Sequence, residues 1–160
     1  MKILEISIDY LIEKRFQESR PILKSLEELM LNEIHAFGLT SITKIVIDKF
    51  FNIEYIQNDT KIKFDDIAEG EQLRVKLAFY LSIIQLDIQK NYGKHTRVLM
   101  IDSPAKEEGD NKYLEGLKSV LSNIEERYSD KLQILIGTAE RTLIDTVRRQ
   151  KIYGEGQYVF

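Results

Sequence analysis

Two short apolar runs in the second half of the chain constrain its fold most. Val98-Leu99-Met100-Ile101 ends at Asp102, and Leu132-Gln133-Ile134-Leu135-Ile136 ends at Gly137. Each is shorter than a core helix and rich in branched side chains, the pattern of a strand buried on both faces. Between them Tyr113, Leu114, Leu117, Val120, Leu121 and Ile124 recur at helical spacing, predicting a helix from Asn111 to Tyr128. A strand, helix, strand succession of this length is expected to form a parallel βαβ crossover. The fold class is therefore α/β. In such sheets ligands sit at the carboxyl ends of the strands, which gives Asp102 a functional position.

The preceding segments predict further elements. SITKIVIDKFFNIEYI, from Ser41, is β-branched, aromatic and partly alternating, and reads as one or two antiparallel strands. QNDT supplies a turn, and TKIKF a further strand ending near Phe64. From about Gln72, Leu73, Leu77, Leu81, Ile84 and Ile88 form a helical stripe, and NYGKHT ends that helix. Residues 1–40 form a separate helical segment, with Leu4, Ile8, Leu11, Ile22, Leu26 and Leu29 close to a seven-residue repeat. Pro21 is expected to start a second helix or a kink there, which leaves either a helical hairpin or a coiled-coil stump. TLIDTVRRQ reads as a final short helix, and KIYGEGQYVF as an edge strand or tail.

Composition narrows the function classes. The absence of cysteine removes disulfides, thiolate metal sites and a cysteine nucleophile, and suits a reducing interior. No apolar run approaches the roughly 20 residues that span a bilayer, so a cytoplasmic protein with no membrane partner is expected. The net charge of -3 points neither to nor away from nucleic acid. Lys44, Lys49, Lys61 and Lys63 are dispersed, while Arg148, Arg149 and Lys151 form the densest basic cluster. Such a cluster can contact phosphates without reading bases, or simply face water. Phe50, Phe51 and Tyr55 are expected to pack a sheet. His35 and His95 are too isolated for a zinc site; His35 reads as a helix-end residue.

Two segments carry chemistry. In FDDIAEGEQLR, Gly70 and Glu71 precede a long helix, so unpaired backbone amides and a partial positive charge could hold a phosphate; a charged turn before a capped helix is the alternative. In VLMIDSP, Asp102 follows a rigid strand and could order the water shell of Mg²⁺, or could cap the next turn.

Together these segments resemble the carboxy-terminal lobe of an ABC-type ATPase head, especially that of the SMC/Rad50 group, over about residues 41–145. The family's Leu-Ser-Gly-Gly-Glu signature matches Ile67 to Arg74, and its Walker B strand matches Val98 to Ser103. Its D-loop falls at Ser103 to Asp110, and its switch segment at Ile136 to Arg141. The resemblance implies that Ala68, Glu69, Gly70, Glu71 and Asp110 bind nucleotide and that Asp102 supports the metal. It implies ATP and Mg²⁺ as cofactors and a partial head with a parallel βαβ core and antiparallel edge strands over residues 41–160.

The departures are specific. Ala68 stands at the signature serine and Glu69 at the first signature glycine, Ser103 replaces the catalytic glutamate, and Ala139 the switch histidine. Asp102 remains as a catalytic candidate, with Glu107 or Glu108 to supply the missing carboxylate from the following loop; Glu140 is a further candidate. No G-x-x-x-x-G-K-[ST] loop occurs in the 160 residues. In the resembling family that loop lies on an amino-terminal lobe across a long coiled coil. The chain is thus expected to be a carboxy-terminal fragment, or a subunit completed by a Walker A-bearing lobe. A second ATPase head, and DNA through the assembled complex, are the further partners implied. A noncatalytic assembly module retaining the scaffold, and a small α/β domain with accidental resemblance, are the competing readings.

Overall fold

The computed structural model describes residues 2–91, 93, 96–102, 111–128 and 130–137. The chain divides into two compact units, Met1–Thr96 and Arg97–Phe160, each described by itself.

The first unit begins with helix α1, Lys2–Ala36, about 52 Å long at the usual rise per residue. It does not form the hairpin considered from the sequence, because it runs uninterrupted through Pro21. Proline removes one amide donor, but Pro21 and Gln17, one turn earlier, are both exposed, so water can satisfy the carbonyl left over. The second half of α1 is also held by tertiary packing that propensity does not contain. Met30 and Ile34 are fully buried there, whereas Leu4, Ile8 and Leu11 in the first half are exposed.

Buried carboxylates fasten α1 to its neighbours. Glu27 Oε1 accepts a hydrogen bond from the Ile47 amide at 2.7 Å, and both carboxylate oxygens accept from Arg20, at 2.7 and 3.0 Å. That pairing offsets the desolvation of a carboxylate that is only 8% exposed, and the same hydrogen bond raises the Arg20 pKa above its ordinary value. Glu33 accepts from Gln85 Nε2, which ties α1 to the second long helix. At the end of α1, His35 Nε2 donates to the Ile42 carbonyl at 2.7 Å, as suits a helix-end histidine.

Strands β1 (Ile42–Ile47), β2 (Ile53–Gln57) and β3 (Thr60–Ile62) form an antiparallel sheet in that order. A bulge between Ile42 and Lys44 shifts the alternation by one, so Ile42 and Ile45 both reach the core. Asn58 and Asp59 each take positive φ between β2 and β3, the geometry of a tight two-residue hairpin turn. Phe64 lies beyond β3, in a short 3-10 turn, Phe64–Asp66.

Only one of the three aromatic residues expected to pack the sheet does so. Tyr55 is buried, while Phe50 and Phe51 sit exposed in the β1–β2 loop, where Arg15 stacks 4.7 Å from the Phe51 ring. Asp48 organises this loop by accepting from the Phe50 and Asn52 amides and from the Asn52 side chain. The Asn52 side-chain bond, with help from those amides, holds its carboxyl below the ordinary range.

Burial pushes the Tyr55 phenol from 10.0 up to about 12. Below pH 10 both folded and unfolded chains keep the proton, so the full contribution to stability is present. Between pH 10 and about 12 the unfolded chain ionises first, and up to about 2–3 kcal/mol should be lost. Denaturant titrations across that range should show a smaller alkaline loss for Tyr55→Phe than for the natural chain. Equal losses would contradict this account.

Helix α2, Glu69–Lys90, starts three residues before the sequence reading placed it. Leu77, Ala78, Leu81 and Ile84 on α2 are fully buried, and α2 packs against α1. The helix ends at Asn91, whose left-handed φ of 53° lets its amide bond back to the Asp87 and Ile88 carbonyls.

The second unit contains β4 (Val98–Asp102), α3 (Asn111–Tyr128) and β5 (Gln133–Gly137). β4 and β5 pair in parallel, with α3 between them in the chain, which is the expected βαβ order. Val120, Leu121, Ile124 and Tyr128 supply the buried side of α3. The strands are not buried on both faces as their composition suggested. Leu99 and Ile101 are buried, but Met100 is 73% exposed and its register partner Leu135 is 46% exposed. An apolar run records what a strand can tolerate, not which faces are covered. The predicted helix and tail after Ala139 lie outside the described residues, as does His95.

Candidate functional site

Two local arrangements correspond to the sequence candidates, one in each unit. The first is the amino terminus of α2. Ala68 is its N-cap, with extended ψ of 135°, and no side chain caps the helix. The Ala68 carbonyl accepts from the Glu71 and Gln72 amides at 2.8 and 3.1 Å, closing the first turn. Glu69 and Gly70 occupy the first two helical positions, where amides have no intrahelical acceptor. Serine at the cap would have supplied an oxygen to one of them; alanine leaves that direction to an outside acceptor.

The electrostatics oppose a simple anion site. Glu69 and Glu71 both lie in the first turn, where carboxylates complement the helix dipole and repel phosphate. Ala68 and Glu69 are exposed, while Gly70 and Glu71 are half-buried. Two side chains not singled out from the sequence brace this turn. Gln72 Nε2 donates to the Ile67 carbonyl at 3.0 Å, and Arg74 Nη1 reaches the Phe37 carbonyl at 3.4 Å. The second bond spans 37 residues, and no local pattern announces such a pairing.

The second arrangement is the carboxyl end of the parallel pair. Asp102 is the last residue of β4, is exposed, and lies in register with Gly137, the last residue of β5. A Cβ added at Gly137 would stand 3.3 Å from Asp102 Oδ1. The strand places a carboxylate where βαβ sheets bind ligands, with one small residue beside it. Among the described residues no three His, Cys, Asp or Glu side chains gather into a metal-holding group. Glu107, Glu108, Asp110, Ala139 and Glu140 lie outside the described residues. The structure thus brings Ala68, Glu69, Gly70 and Glu71 together, and separately sets Asp102 beside Gly137.

A mixed α/β fold, with one antiparallel sheet and one parallel strand pair, resembles an ABC-ATPase-like head. Within that class the similarity is to SMC/Rad50-like ATPase head domains. The SMC head domain from Thermotoga maritima matches with a TM-score of 0.52 at 13% identity, covering 78% of this chain and 41% of that one. The Smc head domain with a coiled coil and joint from Pyrococcus yayanosii matches at 0.59 and 16% identity, covering 92% of this chain and 28% of that one. A structure from work on ATP-driven dimerization and DNA-stimulated activation of SMC ATPases matches at 0.52 and 12%, covering 81% and 78%. The chain therefore spans less than half of the first two proteins. No family model matches the chain, and no curated protein matches it in sequence. Among the described residues no helix is long and apolar enough to cross a membrane.

Proposed function

We propose that the chain is the carboxy-terminal lobe of an SMC/Rad50-like ATPase head, completed by a Walker A-bearing lobe and acting in DNA maintenance or defence. The observation that carries this reading is the short parallel pair that ends in Asp102 and leaves Met100 and Leu135 uncovered. Parallel sheets are stable when both faces are covered, so an exposed apolar face suits a piece of a larger α/β assembly. The long α1, which carries exposed Leu4, Ile8 and Leu11 in its first half, suits a coiled-coil root.

In the completed head, ATP and Mg²⁺ would be held mainly by the other lobe. A single carboxylate fits that division, because Mg²⁺ keeps several waters and takes one or two protein carboxylates beside the nucleotide phosphates. Bound there, the ion would neutralise developing phosphate charge. Asp102 would orient its water shell, and the Gly70 turn would present backbone amides to the nucleotide of a second head, so that ATP would join two heads. Glu107 or Glu108 would supply the water-activating carboxylate in place of Ser103, and Asp110 would contribute to nucleotide binding.

The noncatalytic assembly reading has its own support. Ala68 provides no hydroxyl, and Glu69 adds a charge that phosphate must overcome. Purification of the complex formed on a tagged copy of this chain, followed by sequencing of its partners and an ATPase assay, separates the readings. A Walker A-bearing partner with ATP-dependent assembly and turnover supports the head. ATP-dependent assembly without turnover supports the noncatalytic module. Absence of any such partner, with assembly indifferent to ATP, defeats both.

A further inference from the structure

Helix α1 carries a weak point in its middle. At Pro21 the backbone lacks the donor that would close the turn on the Gln17 carbonyl, and Ser25 Oγ donates to the Pro21 carbonyl at 3.2 Å, a second contact of the kind that bends helices. On the amino-terminal side Leu4, Ile6, Ile8, Tyr10 and Leu11 are exposed, so the packing that buries Met30 and Ile34 does not reach the first turns. Even so, α1 continues through Pro21 as one helix.

Contacts with the end of β1 lie on both sides of this point. On the carboxy-terminal side, Glu27 accepts from the amide of Ile47, the last residue of β1, and from Arg20, the residue before the proline. Arg20 also lies 5.8 Å over the Phe16 ring, one turn nearer the amino terminus. Arg15, further in that direction, stacks 4.7 Å from Phe51 in the loop that continues from β1. Phe51 has a φ of 65°, an outlier for a bulky residue, and such strain persists only where the surroundings over-determine it. Here they do. The Asp48 carbonyl accepts from the Phe51 amide at 3.0 Å, and the Asp48 side chain accepts from the Phe50 and Asn52 amides. The loop thus holds Phe51 in the conformation that meets Arg15.

We propose that the β1–β2 loop is a clasp across a hinge at Pro21, holding the first half of α1 in line with the second. Loss of the Arg15–Phe51 contact frees the first half to swing about Pro21, so the position of the loop sets the direction in which α1 leaves the packed body of the first unit. The clasp uses none of the candidate nucleotide-site residues and stands apart from that reading.

The test measures distances between spin labels in the full chain, which has no cysteine of its own to compete for the label. Asp9→Cys is paired in turn with Lys44→Cys on β1 and Lys90→Cys at the end of α2, all exposed positions. Asp9 lies about 18 Å along the helix from Pro21, so a bend of about 20° moves it about 6 Å. With the natural loop both distance distributions should be narrow. Phe51→Ala, and Arg15→Ala from the other side of the contact, should broaden or shift at least one of them by about that amount. Adding Pro21→Ala, which restores the missing donor, should return the Phe51→Ala distributions to the natural width. A control pair, Glu28→Cys with Lys44→Cys, lies on the carboxy-terminal side of the hinge and should stay narrow throughout. Unchanged distributions in Phe51→Ala and Arg15→Ala overturn the clasp, as does a natural chain already as broad as its variants. Broadening that persists with Pro21→Ala overturns the hinge. Broadening of the control pair in both loop variants shows that the contact holds the unit together instead, and overturns the clasp as well.

Discussion

Asp102→Ala in a completed head is expected to weaken ATP- and Mg²⁺-dependent head association by at least about tenfold, the worth of one charge-assisted contact to an ion's water shell. Asp102 is the terminal residue of β4, so truncating its side chain removes a carboxylate from the sheet end without removing an apolar core group. Light scattering with and without ATP, at fixed Mg²⁺, reads the association directly. Retention of full nucleotide-dependent association would count against the ATPase-head reading. A folded variant that associates independently of nucleotide, as the natural chain would then also do, leaves the scaffold as an assembly module.

The largest expected effect on stability comes from the interior of the first unit. Leu81 on α2 is fully buried, as are Met30 and Ile34 on α1. Leu81→Ala should destabilise this unit by about 3–4 kcal/mol, combining lost burial with the cavity left behind. Leu81→Met, which nearly conserves volume, should cost less than about 1.5 kcal/mol. Leu11→Ala provides the contrast, because Leu11 is exposed and its loss should fall within about 0.5 kcal/mol. Urea unfolding followed by circular dichroism measures all three. Comparable losses for Leu81→Ala and Leu11→Ala would contradict the packing of α2 against α1.

The elements with strong internal periodicity were legible before the structure. The stripe through Leu77, Leu81 and Ile84 marked α2, and β-branched composition with a QNDT turn marked the antiparallel hairpins. The apolar runs at β4 and β5, separated by a helical pattern, implied the parallel pairing that is observed. These signals are local, so they survive without knowledge of neighbours. Pro21 misled because its cost depends on whether the freed carbonyl meets water, which is a matter of exposure. Phe50 and Phe51 misled because aromatic composition continues past β1 into a loop whose course is set by Asp48 hydrogen bonds. The burial of Glu27 and Glu33 was not legible, since a glutamate in an amphipathic helix ordinarily faces solvent.

The candidate site was partly readable for the same reasons. A glycine before an apolar-striped helix and an aspartate after an apolar run are local patterns, and both residues occupy the expected ends of their elements. Gly137 was visible only as the residue closing LQILIG. That it stands opposite Asp102, 35 positions earlier, is decided by the parallel register.

The sequence by itself determined the α/β class, the order of strands and helices, and the absence of a Walker A loop within these residues, because each follows from residue type and short-range spacing. Tertiary structure decided that α1 is one helix, that buried glutamates secure it, that Met100 and Leu135 are exposed on the parallel pair, and that Gly137 stands opposite Asp102. Those outcomes depend on burial and on contacts between distant positions, where the free energy of a polar or apolar group is set by what lies beside it in space.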